Sequence, residues 1–148
     1  MRPSIFLSGA TAALLFARAA SAQTAHTRLT EEQYLTLGKQ YTGWFFNGRA
    51  DSLLAHATPQ AQQGSGGVDG ILQQRDRLAS RAGNETMVLV EKMTWRRGMP
   101  QFWHEAMFDH FEEPLVVRWV MDDKGAIIGM GLGPKSSTPA VDSLPPKD

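Results

Sequence analysis

The sequence predicts an α+β domain in which three N-terminal helices pack on one face of a four-stranded antiparallel β-meander. Three observations carry this prediction. Apolar residues recur at spacings of three and four as far as about residue 82, and alternate with period two beyond it. The breaks between the alternating runs are a few residues long and rich in Gly, Pro and Asp, which allows antiparallel neighbours but no parallel crossover. Helices come first and strands afterwards, the order of an α+β rather than an alternating α/β fold.

Composition sets the outer bounds. The 148 residues suffice for one core and not for two. Fifteen Lys and Arg balance fifteen Asp and Glu, which excludes a nucleic-acid binder working by bulk positive charge. Without cysteine there is no disulfide, no thiolate nucleophile and no Cys-ligated zinc.

The first 22 residues read as an export signal. Met1-Arg2 gives a positive start, Ile5 to Ala17 is almost wholly apolar, and Ala20-Ser21-Ala22 has the small-x-small pattern of a cleavage site. The apolar run is too short for a membrane span, which needs roughly 20 residues. Removing residues 1–22 takes away Arg2 and Arg18 and leaves a net charge of about −2 on a chain expected to be periplasmic or secreted, with no membrane association after cleavage.

Residues 23–134 form the expected domain. Thr30-Glu31-Glu32-Gln33 is a capping box, and Tyr34, Leu37, Tyr41, Trp44 and Phe45 follow as one apolar stripe, ended by Asn47-Gly48. A short second helix over 50–57 stops at Thr58-Pro59, because the residue before proline avoids the α region. Residues 60–67 read as a polar, glycine-rich loop. A third helix over 68–82 buries Val68, Ile71, Leu72, Leu78 and Ala79 and is closed by Gly83. Strands follow over 86–95, 101–111, 115–121 and 126–132. Residues 135–148 lack periodicity, carry three prolines and read as a disordered tail.

The segment Trp44-Phe45-Phe46-Asn47-Gly48-Arg49-Ala50-Asp51-Ser52-Leu53-Leu54-Ala55 resembles the helix, Gly-x-x-Asp-x-Leu, short-helix opening of nuclear transport factor 2-like (SnoaL-like) domains. Residues 112–133, with a Pro-led strand, Trp119 and an Asp-x-x-Gly hairpin, resemble their last two strands. More narrowly, the chain resembles exported domains of unknown function that precede serine hydrolases of the β-lactamase type. The resemblance implies a curved, cone-shaped sheet closing around a pocket, and dimers formed through the open sheet face. It speaks to fold more than to function.

If Phe111 faces Pro114 across the second hairpin, then Phe108 faces Val117, Ala106 faces Trp119 and His104 faces Met121. One face then carries Phe102, His104, Ala106, Phe108, His110, Leu115, Val117, Trp119 and Met121, joined by Met87, Leu89, Glu91, Met93 and Trp95. This apolar face is assigned to the helices, with Trp119 at the centre of the core under Tyr41 and Phe45. The other face carries Trp103, Met107, Phe111 and Arg118, with Arg118 diagonal to Glu105 and Asp109. Large apolar side chains on an open face mark an interface, so these four residues are the expected homodimer contacts.

Tyr41, His104, His110 and Trp119 are the expected contacts to a small apolar ligand. Glu91 and His104 are the weak candidates for acid–base chemistry, which a carboxylate and an imidazole perform when burial shifts their pKa values. His104 and His110 are roughly 20 Å apart along one strand and cannot share a metal ion, so neither a metal nor a cofactor is expected. There is no Gly-x-Ser-x-Gly elbow and no Ser-x-x-Lys. Gly129, Gly131 and Gly133 read as a strand whose outward face admits another backbone. The sequence therefore favours an exported, non-enzymatic domain that binds a small ligand or a protein, auxiliary to a periplasmic hydrolase. Its alternative is a small ketosteroid-isomerase-like isomerase, hydratase or cyclase using Glu91 and His104.

Overall fold

Regular structure begins where the capping box places it. In the computed structural model, which describes residues 28–140, helix α1 spans Glu31–Phe46. Thr30 Oγ1 accepts from Gln33 N at 3.3 Å, and Gln33 Oε1 accepts from Thr30 N at 2.8 Å. The helix ends at Asn47, and Gly48 takes the left-handed conformation, φ 70°. The expected leader, 1–22, and the end of the expected tail, 141–148, lie outside the described residues.

Three more helices follow: α2 (Ala50–Ala55), α3 (Pro59–Gly64) and α4 (Gly67–Ala82). Helix α3 replaces the loop expected over 60–67. The Thr58-Pro59 pair that stops α2 also starts α3, with Thr58 Oγ1 accepting from Ala61 N and Pro59 in the first turn, where its missing N–H costs nothing. In α4, Leu78 and Ala82 are the buried residues; Val68 and Ala79, expected inside, are exposed.

Strands β1 (Glu85–Arg96), β2 (Met99–Phe108), β3 (Leu115–Met121) and β4 (Ile127–Pro134) form one antiparallel sheet in the order β1-β2-β3-β4. The β2–β3 register differs from expectation. His104 faces Val117, Phe102 faces Trp119 and Ala106 faces Leu115, a slip of four residues. An even slip preserves which side chains share a face, so the facing assigned to Trp119 and His104 stands although their partners change. The cause lies beyond Phe108, where the chain leaves the ladder for the end of α4. Asp109 N donates to Asn84 O, His110 N donates to Ala82 O, and the Asp109 carboxylate accepts from Asn84 N.

Strand β1 is irregular at its start. Register shifts fall between Glu85 and Met87 and between Val88 and Val90. Each extra residue reverses the alternation, so Glu91, Met93 and Trp95 point to the helices as expected, whereas Met87 and Leu89 do not join them and are 57% and 42% exposed. The expected tail begins with structure: Lys135–Ser137 is a 3-10 turn, Lys135 N donates to Pro114 O, and Ser136 hydrogen-bonds the Glu113 carboxylate.

Helix α1 lies on the inner sheet face. Gly38 meets Phe102 so closely that a Cβ there would overlap the ring. Trp119, 3% exposed, donates its indole N–H to Thr42 Oγ1 at 2.9 Å and meets Tyr41 and Phe45 edge-on. Trp119→Ala should therefore cost roughly 3–5 kcal/mol in urea melts. Thr42→Val, which strands the buried indole N–H, should cost about 1–3 kcal/mol.

Candidate functional site

The inner face divides into two regions on either side of α1. At the β4 end, α2, α3 and α4 stand off the sheet and enclose a cavity of about 350 Å³. Leu53, Leu54 and Ala57 wall it on one side and Ile71 on another, with Trp119, Ile127, Ile128 and Met130 forming the floor. Gln60, Gln74 and Ser65 are the polar side chains of the lining, and none of the lining residues is titratable.

Local hydrogen bonding holds this roof in place. Beyond α2 the chain touches the sheet edge at a single parallel bridge, Ala57 to Ile127. Thr58 N donates to Ile127 O at 2.9 Å, and Ile127 N donates to His56 O at 2.8 Å. Gln62 Nε2 then donates to Leu54 O and Ala57 O, fastening α3 beneath α2. The turn into α4 uses Gly66 and Gly67, both at positive φ, and Gly70, where a Cβ would strike Ser65 O.

At the β1 end the inner face is polar. His104, 4% exposed, lies between two carboxylates: Nε2 is 2.7 Å from Glu85 Oε2 and Nδ1 is 3.1 Å from Glu91 Oε1. Lys39 Nζ approaches the other Glu91 oxygen at 3.0 Å. Burial by itself raises the Glu91 pKa, but hydrogen bonds from Lys39 and His104, with their positive charge, outweigh it and hold the carboxyl below its ordinary value. Lys39, Glu91, His104 and Glu85 thus form one connected polar row, each group's polar atoms turned toward its neighbours. Phe46 covers the imidazole, with ring centroids 5.9 Å apart.

Of the expected ligand contacts, Trp119 lines the cavity. Tyr41 does not: its hydroxyl donates to Gly125 O at 2.7 Å, and burial, reinforced by the charge of Asp122, pushes its pKa up to about 12. Tyr34 similarly donates to Asp123 O. Both phenols thus anchor the β3–β4 hairpin. His104 is committed to Glu85 and Glu91, and His110 is exposed in the β2–β3 connection, off the strand on which it was expected.

Of the expected dimer contacts, Trp103, Met107 and Arg118 share the outer sheet face and Phe111 does not. Phe111 lies beyond the end of β2 and packs against the core from the helix side, beside Leu78, Ala82 and Leu115. Trp103 is 6% exposed within the single chain, and Met107 is half-buried. Arg118 pairs with neither Glu105, whose carboxylate takes Lys135 Nζ at 2.7 Å, nor Asp109, which binds Asn84. Gly131 admits the Arg118 side chain rather than another backbone; a Cβ there would lie 2.9 Å from Arg118 Nη2.

Gln60, Ala61, Gly64 and Ser65 line the cavity from the stretch expected to be loop. The signal was present in Thr58-Pro59, which is as good a helix start as a helix stop. Comparison of the chain with protein-family models, with curated proteins and with solved structures returned no match.

Folding lowers the Glu91 pKa, so the unfolded chain holds that proton more tightly than the folded one, and the stabilisation it brings is full above the unfolded value and lost as pH falls through the folded value. Glu91→Gln should cost about 1–3 kcal/mol at neutral pH. That difference should shrink as the pH is taken below 4.5, as read by denaturant melts of both proteins across an acid series.

Proposed function

We propose that this chain is an exported, non-enzymatic domain that takes a small, predominantly apolar ligand into the cavity between α2–α4 and the β3–β4 edge. The observation that carries the reading is the lining: aliphatic and aromatic side chains with two amides and a hydroxyl, and no group able to exchange a proton near neutral pH. Burial of apolar ligand surface supplies affinity, while Gln60, Gln74 and Ser65 supply orientation. The acid–base candidates support binding rather than turnover. Glu91 and His104 do converge, but on each other, on Lys39 and on Glu85, and neither lines this cavity.

Helices on one face of an antiparallel meander are consistent with the cone of nuclear transport factor 2-like domains, and the cavity lies between helices and sheet, where such a cone opens. The apolar run Ile5 to Ala17 with Ala20-Ser21-Ala22 supports export. No helix of the described residues is long and apolar enough to cross a membrane.

Nile red, a neutral apolar dye, tests the reading. It should bind saturably with a blue-shifted emission and quench Trp119. Ala61→Phe fills the cavity from α3, a helix without buried residues, and should weaken the dye roughly tenfold or more, a change of about 1.4 kcal/mol or more. Absence of saturable binding, or equal affinity in Ala61→Phe, would overturn the proposal.

A further inference from the structure

The outer face of the sheet gathers polar groups left without partners. The buried side-chain polar atoms that lack a hydrogen bond among the described residues are Gln101 Oε1, Trp103 Nε1, and Arg118 Nε and Nη1. They belong to three adjoining positions: Trp103 faces Arg118 across β2 and β3, and Gln101 is two residues along the same face of β2. Gln101 is 2% exposed and Trp103 6%. Gln101 Oε1 is an acceptor and the other three atoms are donors; buried donors without acceptors are costly, and in folded proteins something ordinarily satisfies them.

Charge identifies what is missing. Lys92 from β1 lies over the Trp103 ring, 5.4 Å from its centroid, and Arg96 is near enough to Arg118 to act on it electrostatically. None of the ion pairs among the described residues involves Lys92, Arg96 or Arg118. The nearby carboxylate, Glu105, is taken by Lys135. Burial, and secondarily the like charge of Arg96, lowers the Arg118 pKa, the direction expected for a guanidinium with no counterion. Shape completes the description. Arg118 borders a cavity of about 170 Å³ whose other walls are Val116, Leu132 and Pro139, the glycines Gly131 and Gly133, and Ser137 and Thr138. The two hydroxyls already donate to Pro134 O and Lys135 O, which leaves Arg118 as the side-chain donor to an occupant.

We propose that this cavity is a second ligand site, specific for a small monocarboxylate with an apolar body, whose carboxylate pairs with Arg118 while its body lies against Val116, Leu132 and Pro139. A guanidinium is the side chain best matched to a carboxylate, and the apolar walls disfavour a fully hydrated ion such as phosphate. The cationic row of Lys92, Arg96 and Arg118 draws an anion to this face rather than a second copy of the same face.

The test uses the Trp103 indole N–H resonance in ¹H–¹⁵N spectra as the reporter and sodium benzoate as the probe, at constant ionic strength set with chloride. Benzoate should shift the resonance saturably; neutral benzamide and inorganic phosphate should not at the same concentrations. Arg118→Gln should weaken benzoate roughly tenfold or more, the scale of a lost charge-assisted hydrogen bond. Ser137→Asp, at an exposed residue of the cavity lining whose Oγ lies beside Gly133, should abolish binding by placing the chain's own carboxylate there, while Ser137→Ala retains it. This second variant decides the matter if Arg118→Gln does not fold. Benzamide or phosphate acting as well as benzoate, the absence of a saturable shift, undiminished binding in Ser137→Asp, or concentration-dependent self-association that moves the resonance without ligand would each overturn the proposal. Nile red binding in the inner cavity should be unchanged by Ser137→Asp, so the two sites stand or fall separately.

Discussion

The seat of α1 on the sheet is the constraint from which the remaining architecture follows. Two contacts fix it: Gly38 lets the helix descend onto Phe102, and Trp119 gives its indole N–H to Thr42 one helical turn further on. A glycine inside a helix weakens it by about 1 kcal/mol relative to alanine. Here the loss is offset by contact between backbone and ring that no other residue allows. Tyr34 and Tyr41, on the same face of α1, extend hydroxyls to Asp123 O and Gly125 O, so the helix also holds the hairpin that joins β3 to β4.

With α1 committed to the middle of the sheet, the two ends of the inner face are finished differently. Toward β1 the surface is closed by charge, Lys39, Glu91, His104 and Glu85 each satisfying a neighbour. Toward β4 it is roofed by helices too short to fill the space beneath them; α2 and α3 have six residues each and α3 buries none of its own side chains. A cavity remains because its walls are hung from the sheet edge at Ala57 and Ile127, not because the core is poorly packed. Binding space and titratable groups are thereby kept apart, the opposite of the arrangement that acid–base catalysis requires.

Much of this was legible in the sequence where local chemistry and long-range packing agree. Thr30 and Gln33 announce the first helix, period two places Trp119 and His104 on the helix face, and the short Gly- and Pro-rich connections impose antiparallel pairing. Facing is preserved although the second hairpin's register differs from expectation, since a four-residue slip leaves parity untouched. What stayed hidden depends on contacts distant in sequence. Asp109 leaves its strand to meet Asn84, 25 residues away. The irregularities of β1 that turn Met87 and Leu89 away from the helices have no local signature, and Thr58-Pro59 ends one helix and begins another with the same two residues. The depth at which Trp103 and Gln101 are buried on a nominally open face was likewise invisible to alternation, which reports which face a residue is on and not what covers it.

The central claim is that the space beneath α2–α4 is an apolar cavity that accepts a guest while the fold stays as it is. Xenon is the most direct probe, since it enters dry apolar cavities and makes no hydrogen bonds. Under xenon pressure, methyl resonances of Leu53, Ile71, Ile127 and Met130 should shift progressively and saturate, while those of Met93 and Met107, away from the cavity, remain in place. Methyl shifts that are absent, or spread evenly through the core, would contradict the account.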